Sequence, residues 1–211
     1  MILIGMFDSP FVRRVAISMK RLGFTFEHRN WSVGKDQDRI RQYNPLGRVP
    51  TLVLDDEEVL VESAAILDYL DERAGPEQAL LPPAGHERRK ALKLMVLATG
   101  AAEKGVAQIY ESAFRPEDKR HAPWVQRCHE QMDGALTELD QACRGVGDGH
   151  WLLGRRFSQA DITVTAAFTF LSETLAVPAQ RYAALSRHVA RCEVLPEFRE
   201  THVPFFTPGQ T

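Results

Sequence analysis

Apolar residues form a short run at 2–6, and from 24 to 31 they alternate with polar ones, Phe24, Phe26 and His28 against Thr25, Glu27 and Arg29. Both patterns suit strands. Between them Phe11, Val12, Val15, Ala16, Met19 and Leu22 recur at helical spacing, while Arg13, Arg14, Lys20 and Arg21 face elsewhere and Gly23 ends the segment. This predicts a helix over 11–22. Strands joined by a helical crossover are expected to be parallel with a right-handed connection. A polar stretch at 32–44 contains a short helix near 36–43 and closes on the turn signal Asn44-Pro45-Leu46-Gly47. Segments 51–54 and 58–61 then flank Asp55-Asp56-Glu57, a tip short enough for a hairpin. A helix starting near Ser63 places Ala64, Ile66, Leu67 and Leu70 inward and ends around 73–75.

The first 75 residues therefore read as βαβ, a loop and ββα. Residues 75–85, GPEQALLPPAG, are rich in Gly and Pro without a period, as an inter-domain connector is. Everything afterwards reads as helix, at 86–114, 123–144, 159–174, 178–191 and 195–199, with Pro or Gly between most segments. The expected organisation is a first domain at 1–75, a linker at 76–86 and an all-helical domain at 87–211.

Composition narrows the partners more than the fold. Hydrophobic residues at 44% and charged residues at 26% describe a globular chain. A formal charge of -2 gives no broad electropositive field, so neither nucleic acid nor an anionic membrane is expected as a partner. The longest apolar stretch, 162–171, is about half of the roughly 20 residues that span a bilayer. The N-terminal apolar run is too short for a signal-peptide core and lacks a basic leader, so cytoplasmic residence is expected. Cys128, Cys143 and Cys192 are widely spaced, with no CxxC pair, and read as free thiols in a reducing compartment. The seven histidines form no i,i+4 pair of the kind that builds a metal site, so no metal is expected.

Local motifs sharpen the picture. Ser9-Pro10-Phe11-Val12-Arg13 follows the first strand, Asn44-Pro45-Leu46-Gly47-Arg48-Val49-Pro50 precedes the third, Glu62-Ser63 opens the next helix, and Ser158-Gln159-Ala160-Asp161 opens a helix of the second domain. With these segments in this order, the whole chain resembles the cytosolic glutathione transferases of bacterial, serine type. That resemblance implies a thioredoxin-like α/β N-terminal domain followed by an all-α C-terminal helical domain. It also implies glutathione as co-substrate, a small apolar electrophile, a homodimer and a detoxifying conjugation reaction.

The residues themselves leave each role open. Ser9 before Pro10 is a capping serine with proline at the first helical position. A hydroxyl donor beside a helix N-terminus also lowers the pKa of a thiol from its usual value of about 8.5, and the resemblance implies that Ser9 is the catalytic donor to the glutathione sulfur. Statistics favour a trans Val49-Pro50 bond, whereas the resemblance implies a cis bond presenting Val49 backbone groups to the cysteinyl part of glutathione, like a small added strand. Ser63 either caps its own helix or stands at a helix N-terminus suited to a carboxylate, where the resemblance implies that it holds the γ-glutamyl end with Glu62. Arg48 is either solvated or, as the resemblance implies, a partner for the glycyl carboxylate. Phe11, Tyr110 and Phe114 are assigned to the electrophile pocket by the same resemblance. Ser158 and Asp161 fit a capping box, worth about 1 kcal/mol.

Trp124, Trp151 and Phe168 are read as core, and the Arg13-Arg14 and Arg155-Arg156 pairs as solvated or structural ion-pair partners. With no cysteine before Cys128, thiol mixed-disulfide chemistry has no nucleophile at the expected place. The start SPFVRR also departs from the serine-serine-cysteine start of the maleylacetoacetate isomerase branch. Two alternatives to conjugation stand: a non-enzymatic binding or assembly module, and a glutathione-dependent isomerase, dehalogenase or ether-cleaving enzyme.

Overall fold

A computed structural model of the chain describes residues 1–147 and 149–205; position 148 and the last six positions of the expected helical domain, 206–211, lie outside them. In the first domain, strand β1 (Ile2–Ile4) is followed by helix α1 (Pro10–Arg21), β2 (Glu27–Arg29), α2 (Gln37–Arg41), β3 (Thr51–Val53), β4 (Val59–Val61) and α3 (Ser63–Ala74). The sheet order is β2-β1-β3-β4, with β1 and β2 parallel and the other pairs antiparallel. Strand alternation divides the core by face. Leu3 and its cross-strand partner Leu52 pack with Val12, Val15 and Met19 of α1 and Ile66 and Leu70 of α3. Ile4 and Val53 point the other way, onto Ile40 of α2. Strand β2 is shorter than the alternation suggests, because Phe24 N–H returns to Met19 C=O at the end of α1 before pairing with β1 begins.

The second domain contains α4 (Gly85–Phe114), α5 (Ala122–Arg144), α6 (Gln159–Leu175), α7 (Ala183–Glu193) and α8 (Pro196–Arg199), with a 3-10 turn at Glu117–Lys119. Ala91, Leu94, Met95, Ala98, Ala102 and Ile109 form the inward stripe of α4. Where this stripe reaches Gly105, a Cβ would sit 2.3 Å from Leu171 Cδ2, so glycine is what lets α4 and α6 approach so closely. Helix α6 is buried from Gln159 to Phe168 without interruption, as befits the central helix of a domain.

Helix α1 is covered on two sides, which decides between the two readings of its arginine pair: both are structural and neither is solvated. One face lies on the sheet. The other carries Ile17 into a cluster with Leu80, Ile162 and Phe198, and takes Arg13 and Arg14 with it to 3% exposure each. Arg13 forms a bidentate pair with Glu193, at 2.9 and 2.6 Å, and donates to Phe198 C=O at 3.1 Å. Arg21 reaches Glu197 at 2.9 Å and Lys20 reaches Glu200 at 2.6 Å. These basic residues of α1 thus hold acidic residues at the end of the helical domain. The connector is held separately by the buried Asp71 carboxylate, which accepts from the N–H groups of Leu80 and Leu81 at 2.7 and 3.1 Å.

Two expectations in the helical domain give way to tertiary effects. Helix α7 starts at Ala183 rather than 178, because 178–182 turns to bury Tyr182, whose hydroxyl donates to Asp133. Asp140 of α5 then accepts from the N–H groups of Ala184 and Leu185 at 2.9 and 3.0 Å, capping α7 from a neighbouring helix. Trp124 is 40% exposed, with Lys104 Nζ 5.7 Å from its ring centroid, and does not belong to the core.

Asp161, fully buried, accepts from both the backbone N–H and the hydroxyl of Ser158, at 2.9 and 2.7 Å. It also accepts from Leu152 N–H at 2.9 Å and lies 3.2 Å from His188 Nε2. A carboxylate with this many partners does more than cap α6. Removing it strands buried donors, at about 1–3 kcal/mol each. Asp161→Ala is therefore expected to destabilise the protein by about 3 kcal/mol or more, read as the shift in urea midpoint at constant m, rather than the 1 kcal/mol of an isolated cap.

Candidate active site

Three turns of the first domain converge where β1 ends. Gly5, at φ +133°, lies so close to its neighbours that a Cβ there would meet Val12 Cγ2 at 2.5 Å and Val49 Cβ at 2.8 Å. Only glycine lets the start of α1 and the loop before β3 both close on the strand. Ser9 is the N-cap of α1, with Pro10 in the first turn. Its Oγ accepts from Val12 N–H at 3.5 Å, the outer limit of such a bond, and its own O–H proton is left to be donated elsewhere.

Buried Asn44 shapes the second turn. Its Oδ1 accepts from Leu46 N–H at 3.0 Å and its Nδ2 donates to Arg48 C=O at 2.8 Å. The chain then passes through Gly47, at φ +62°, to a cis Val49-Pro50 bond.

At the third turn β4 hands over to α3. Glu62 is the N-cap residue, held at φ +73°, which a residue with a side chain rarely adopts. Ser63 is the first helical residue and makes no capping bond, so the reading of Ser63 as cap of its own helix is corrected. Its fully buried hydroxyl accepts from Arg14 Nη2 at 2.6 Å and donates to Glu62 Oε1 at 3.0 Å. The guanidinium of Arg14 has its pKa lowered to about 10, by burial first, with the charge of Glu62 acting in the opposite direction.

Between the two domains lies a cavity of about 820 Å³, within the range of roughly 300–1,000 Å³ usual for small-molecule sites. Ser9, Arg48 and Val49 line it from the first domain, and Phe11, Tyr110 and Phe114 line its apolar side. Pro50, Glu62 and Ser63 do not line it; Pro50 is buried, and Glu62 and Ser63 form their own cluster with Arg14. Tyr110 and Phe114 meet edge to face at 5.0 Å, and Phe170 meets Phe205 in the same way at 5.6 Å. Burial raises the pKa of the Tyr110 hydroxyl, the positive charge of Arg48 lowers it less, and Asp8 adds to the rise. Tyr110 is therefore a neutral donor at pH 7.

The residue pattern assigns no site role to Arg14, Asn44 or Gly5, nor to Phe170 and Phe205 of the cavity wall. Asn44 opens the Asn44 to Pro50 motif and was legible as a turn residue, whereas Gly5 lies inside the apolar run of the first strand. Arg14 carried no signal, since an arginine on the polar stripe of an amphipathic helix reads as solvated until a second domain covers it. Among the described residues no group of His, Cys, Asp and Glu is placed to hold a metal ion.

The family description "Glutathione S-transferase, N-terminal domain" matches residues 3–78, and "Glutathione S-transferase, C-terminal domain" matches 122–191. The chain is 32% identical over 138 residues to an uncharacterized GST-like protein, YibF, of Escherichia coli strain K12, covering 65% of this chain and 67% of that one. It is also 32% identical over 119 residues to the glutathione S-transferase GstA of Escherichia coli O157:H7, a match covering 56% of this chain and about half, 54%, of the relative. A maleylacetoacetate isomerase of Pseudomonas aeruginosa is 25% identical over 90% of this chain and 89% of its own. Among solved structures, a glutathione S-transferase of Methylobacterium radiotolerans in complex with glutathione sulfonate superposes with a TM-score of 0.89 at 29% identity, covering 97% of this chain and 95% of that one. A glutathione S-transferase of Methylobacillus flagellatus with GSH bound gives 0.87 at 26%, covering 95% and 98%.

All three cysteines are buried, and burial pushes the thiols of Cys143 and Cys192 up to about 12. Thiolate formation is therefore suppressed at these two, and burial shields all three from reagent. A disulfide reagent at pH 8 is expected to titrate no thiol in the native protein and three in urea; a fast-reacting native thiol would contradict this.

Proposed function

The chain belongs to the glutathione S-transferase family, and on that premise we propose that it binds reduced glutathione along the three turns and transfers it to an apolar electrophile held against the aromatic wall. In this reading Val49 offers its backbone groups to the cysteinyl part of the tripeptide, as an added strand would. Glu62 takes the γ-glutamyl ammonium, while the Ser63 hydroxyl and the first N–H groups of α3 take its carboxylate. Arg48 faces the glycyl carboxylate. Glutathione sulfonate and GSH bound in the Methylobacterium and Methylobacillus relatives, at 29% and 26% identity over almost the whole chain, support the ligand.

The observation that carries the chemistry is the position of Ser9 on the wall of the inter-domain cavity, at the N-terminus of α1, with its hydroxyl proton not taken by the helix. A donor and a helix dipole aimed at a sulfur favour the thiolate over the thiol. The thiolate then attacks an electrophilic carbon across the cavity. The new C–S bond takes the sulfur lone pair, the leaving group departs with its bonding pair, and the thiol proton goes to solvent. Tyr110, a neutral phenol, donates to an oxygen or halide that gains charge in that step. A second copy of the chain completes this reading, supported by the exposed Leu92 and Val96 on the outer face of α4, at 39% and 67% exposure.

An isomerase reading is favoured by the length of the match to the Pseudomonas relative. There the thiolate would add to a double bond and be expelled after rotation, leaving glutathione unconsumed. Ser9-Pro10-Phe11 in place of a serine-serine-cysteine start weighs against it.

With 1-chloro-2,4-dinitrobenzene as probe electrophile, Ser9→Ala is expected to lower kcat by about 10- to 100-fold, the worth of one hydrogen bond to a charged atom, with KM for glutathione changed less than about threefold. Ser63→Ala is expected to do the reverse, raising KM with little loss of kcat. The opposite split would show the two roles wrongly assigned, and absence of turnover with stoichiometric glutathione binding would favour a binding module. Tyr110→Phe should lower kcat for the same probe by about three- to tenfold without altering glutathione affinity.

A further inference from the structure

Arg14 points from α1 at the start of α3 and at the helical domain together. Nη2 donates to Ser63 Oγ at 2.6 Å and Nη1 to Thr163 Oγ1 of α6 at 3.4 Å, while Nε has no partner among the described residues. Among the described residues no carboxylate forms a salt bridge with it, although its neighbour Arg13 is paired twice to Glu193. A cation held this deep, hydrogen-bonded to hydroxyls and with the Glu62 carboxylate one hydroxyl away, is costly. It also imposes a direction on its neighbours, because guanidinium has five donors and no acceptor. A Ser63 oxygen that accepts from Arg14 has one proton to give, and in the present arrangement gives it to Glu62 Oε1. That proton is the one a bound carboxylate would take.

We infer that Arg14 is the positioning residue of the carboxylate subsite at Ser63: it pins the Ser63 oxygen so that its proton faces outward, and it places a positive charge one hydroxyl behind the bound anion. This rests on the reading of glutathione as ligand, with its γ-glutamyl carboxylate at Ser63. Arg14 touches no ligand. Its contact with Thr163 also ties the subsite to the domain interface, so a purely structural role is the alternative to be separated.

The separation is made on the ligand. In an analogue where 4-aminobutyrate replaces the γ-glutamyl residue, only the α-carboxylate is missing. Calorimetric titration of wild type, Arg14→Met and Arg14→Lys with both ligands forms a cycle between the residue and that carboxylate. Wild type is expected to bind glutathione at least about tenfold more tightly than the analogue. Arg14→Met should lose about 10- to 100-fold for glutathione and less than about threefold for the analogue, and Arg14→Lys, which keeps the charge without the planar fork, should show a smaller loss confined to glutathione. Equal losses for the two ligands, no loss in a folded variant, or equal binding of the two ligands by wild type would each overturn the inference. Should Arg14→Met not fold, Arg14→Lys decides by the same comparison, a loss confined to glutathione supporting the inference and an equal or absent loss overturning it. Wild type that binds neither ligand would instead sink the glutathione reading itself.

Discussion

Helix α1 has no solvent side over most of its length, and much else follows from that. A helix on the face of a small sheet ordinarily leaves its polar stripe to water. Here α6 and the end of the helical domain cover the stripe at Arg13 and Arg14, and a cation so buried must find a partner in protein. Arg13 does so with Glu193, and at the more open end of the helix Arg21 reaches Glu197 and Lys20 reaches Glu200. The domain interface is thus specified by charge as well as by the apolar cluster around Ile17 and Phe198, and the cavity between the domains inherits its shape from that fixed docking.

The same helix organises the candidate site. Its N-terminus carries Ser9, its first turn packs Val12 against Gly5, and its second turn sends Arg14 to Ser63. The turns at Ser9, Val49 and Ser63 are distant in sequence, yet each is referred to α1 or to the glycine it packs on. Cost is concentrated in the same region, where Glu62 is held at positive φ and Arg14 is buried with the Glu62 carboxylate reached only through the Ser63 hydroxyl. Strained and poorly neutralised groups that persist in a fold are the usual mark of a functional surface.

Much of this was legible from residue order, and the exceptions share a cause. Periodicity placed α1, α3 and α4 within a few residues, since each buries a stripe that its own sequence encodes. The Asn44 to Pro50 loop and the Ser158 to Asp161 pair were visible as local chemistry. What could not be read was whatever a distant element decides. The burial of Arg13 and Arg14 is set by the second domain, the start of α7 by Asp140 on α5 and by the burial of Tyr182, and the full set of partners of Asp161 by Leu152 and His188. Trp124 failed in the opposite sense, because an aromatic residue at a helix start carries no mark of whether a neighbour will cover it.

The central claim is that a hydroxyl at the N-terminus of α1 holds a bound sulfur as thiolate. Ultraviolet difference absorbance of glutathione bound to the wild-type protein and to Ser9→Ala, followed against pH, tests it most directly. A thiolate signal that titrates well below the free-thiol value of about 8.5 in wild type, and moves back toward that value in the variant, is the result the account predicts. A bound thiol that titrates near its free value in both proteins, or is equally depressed in both, would contradict it.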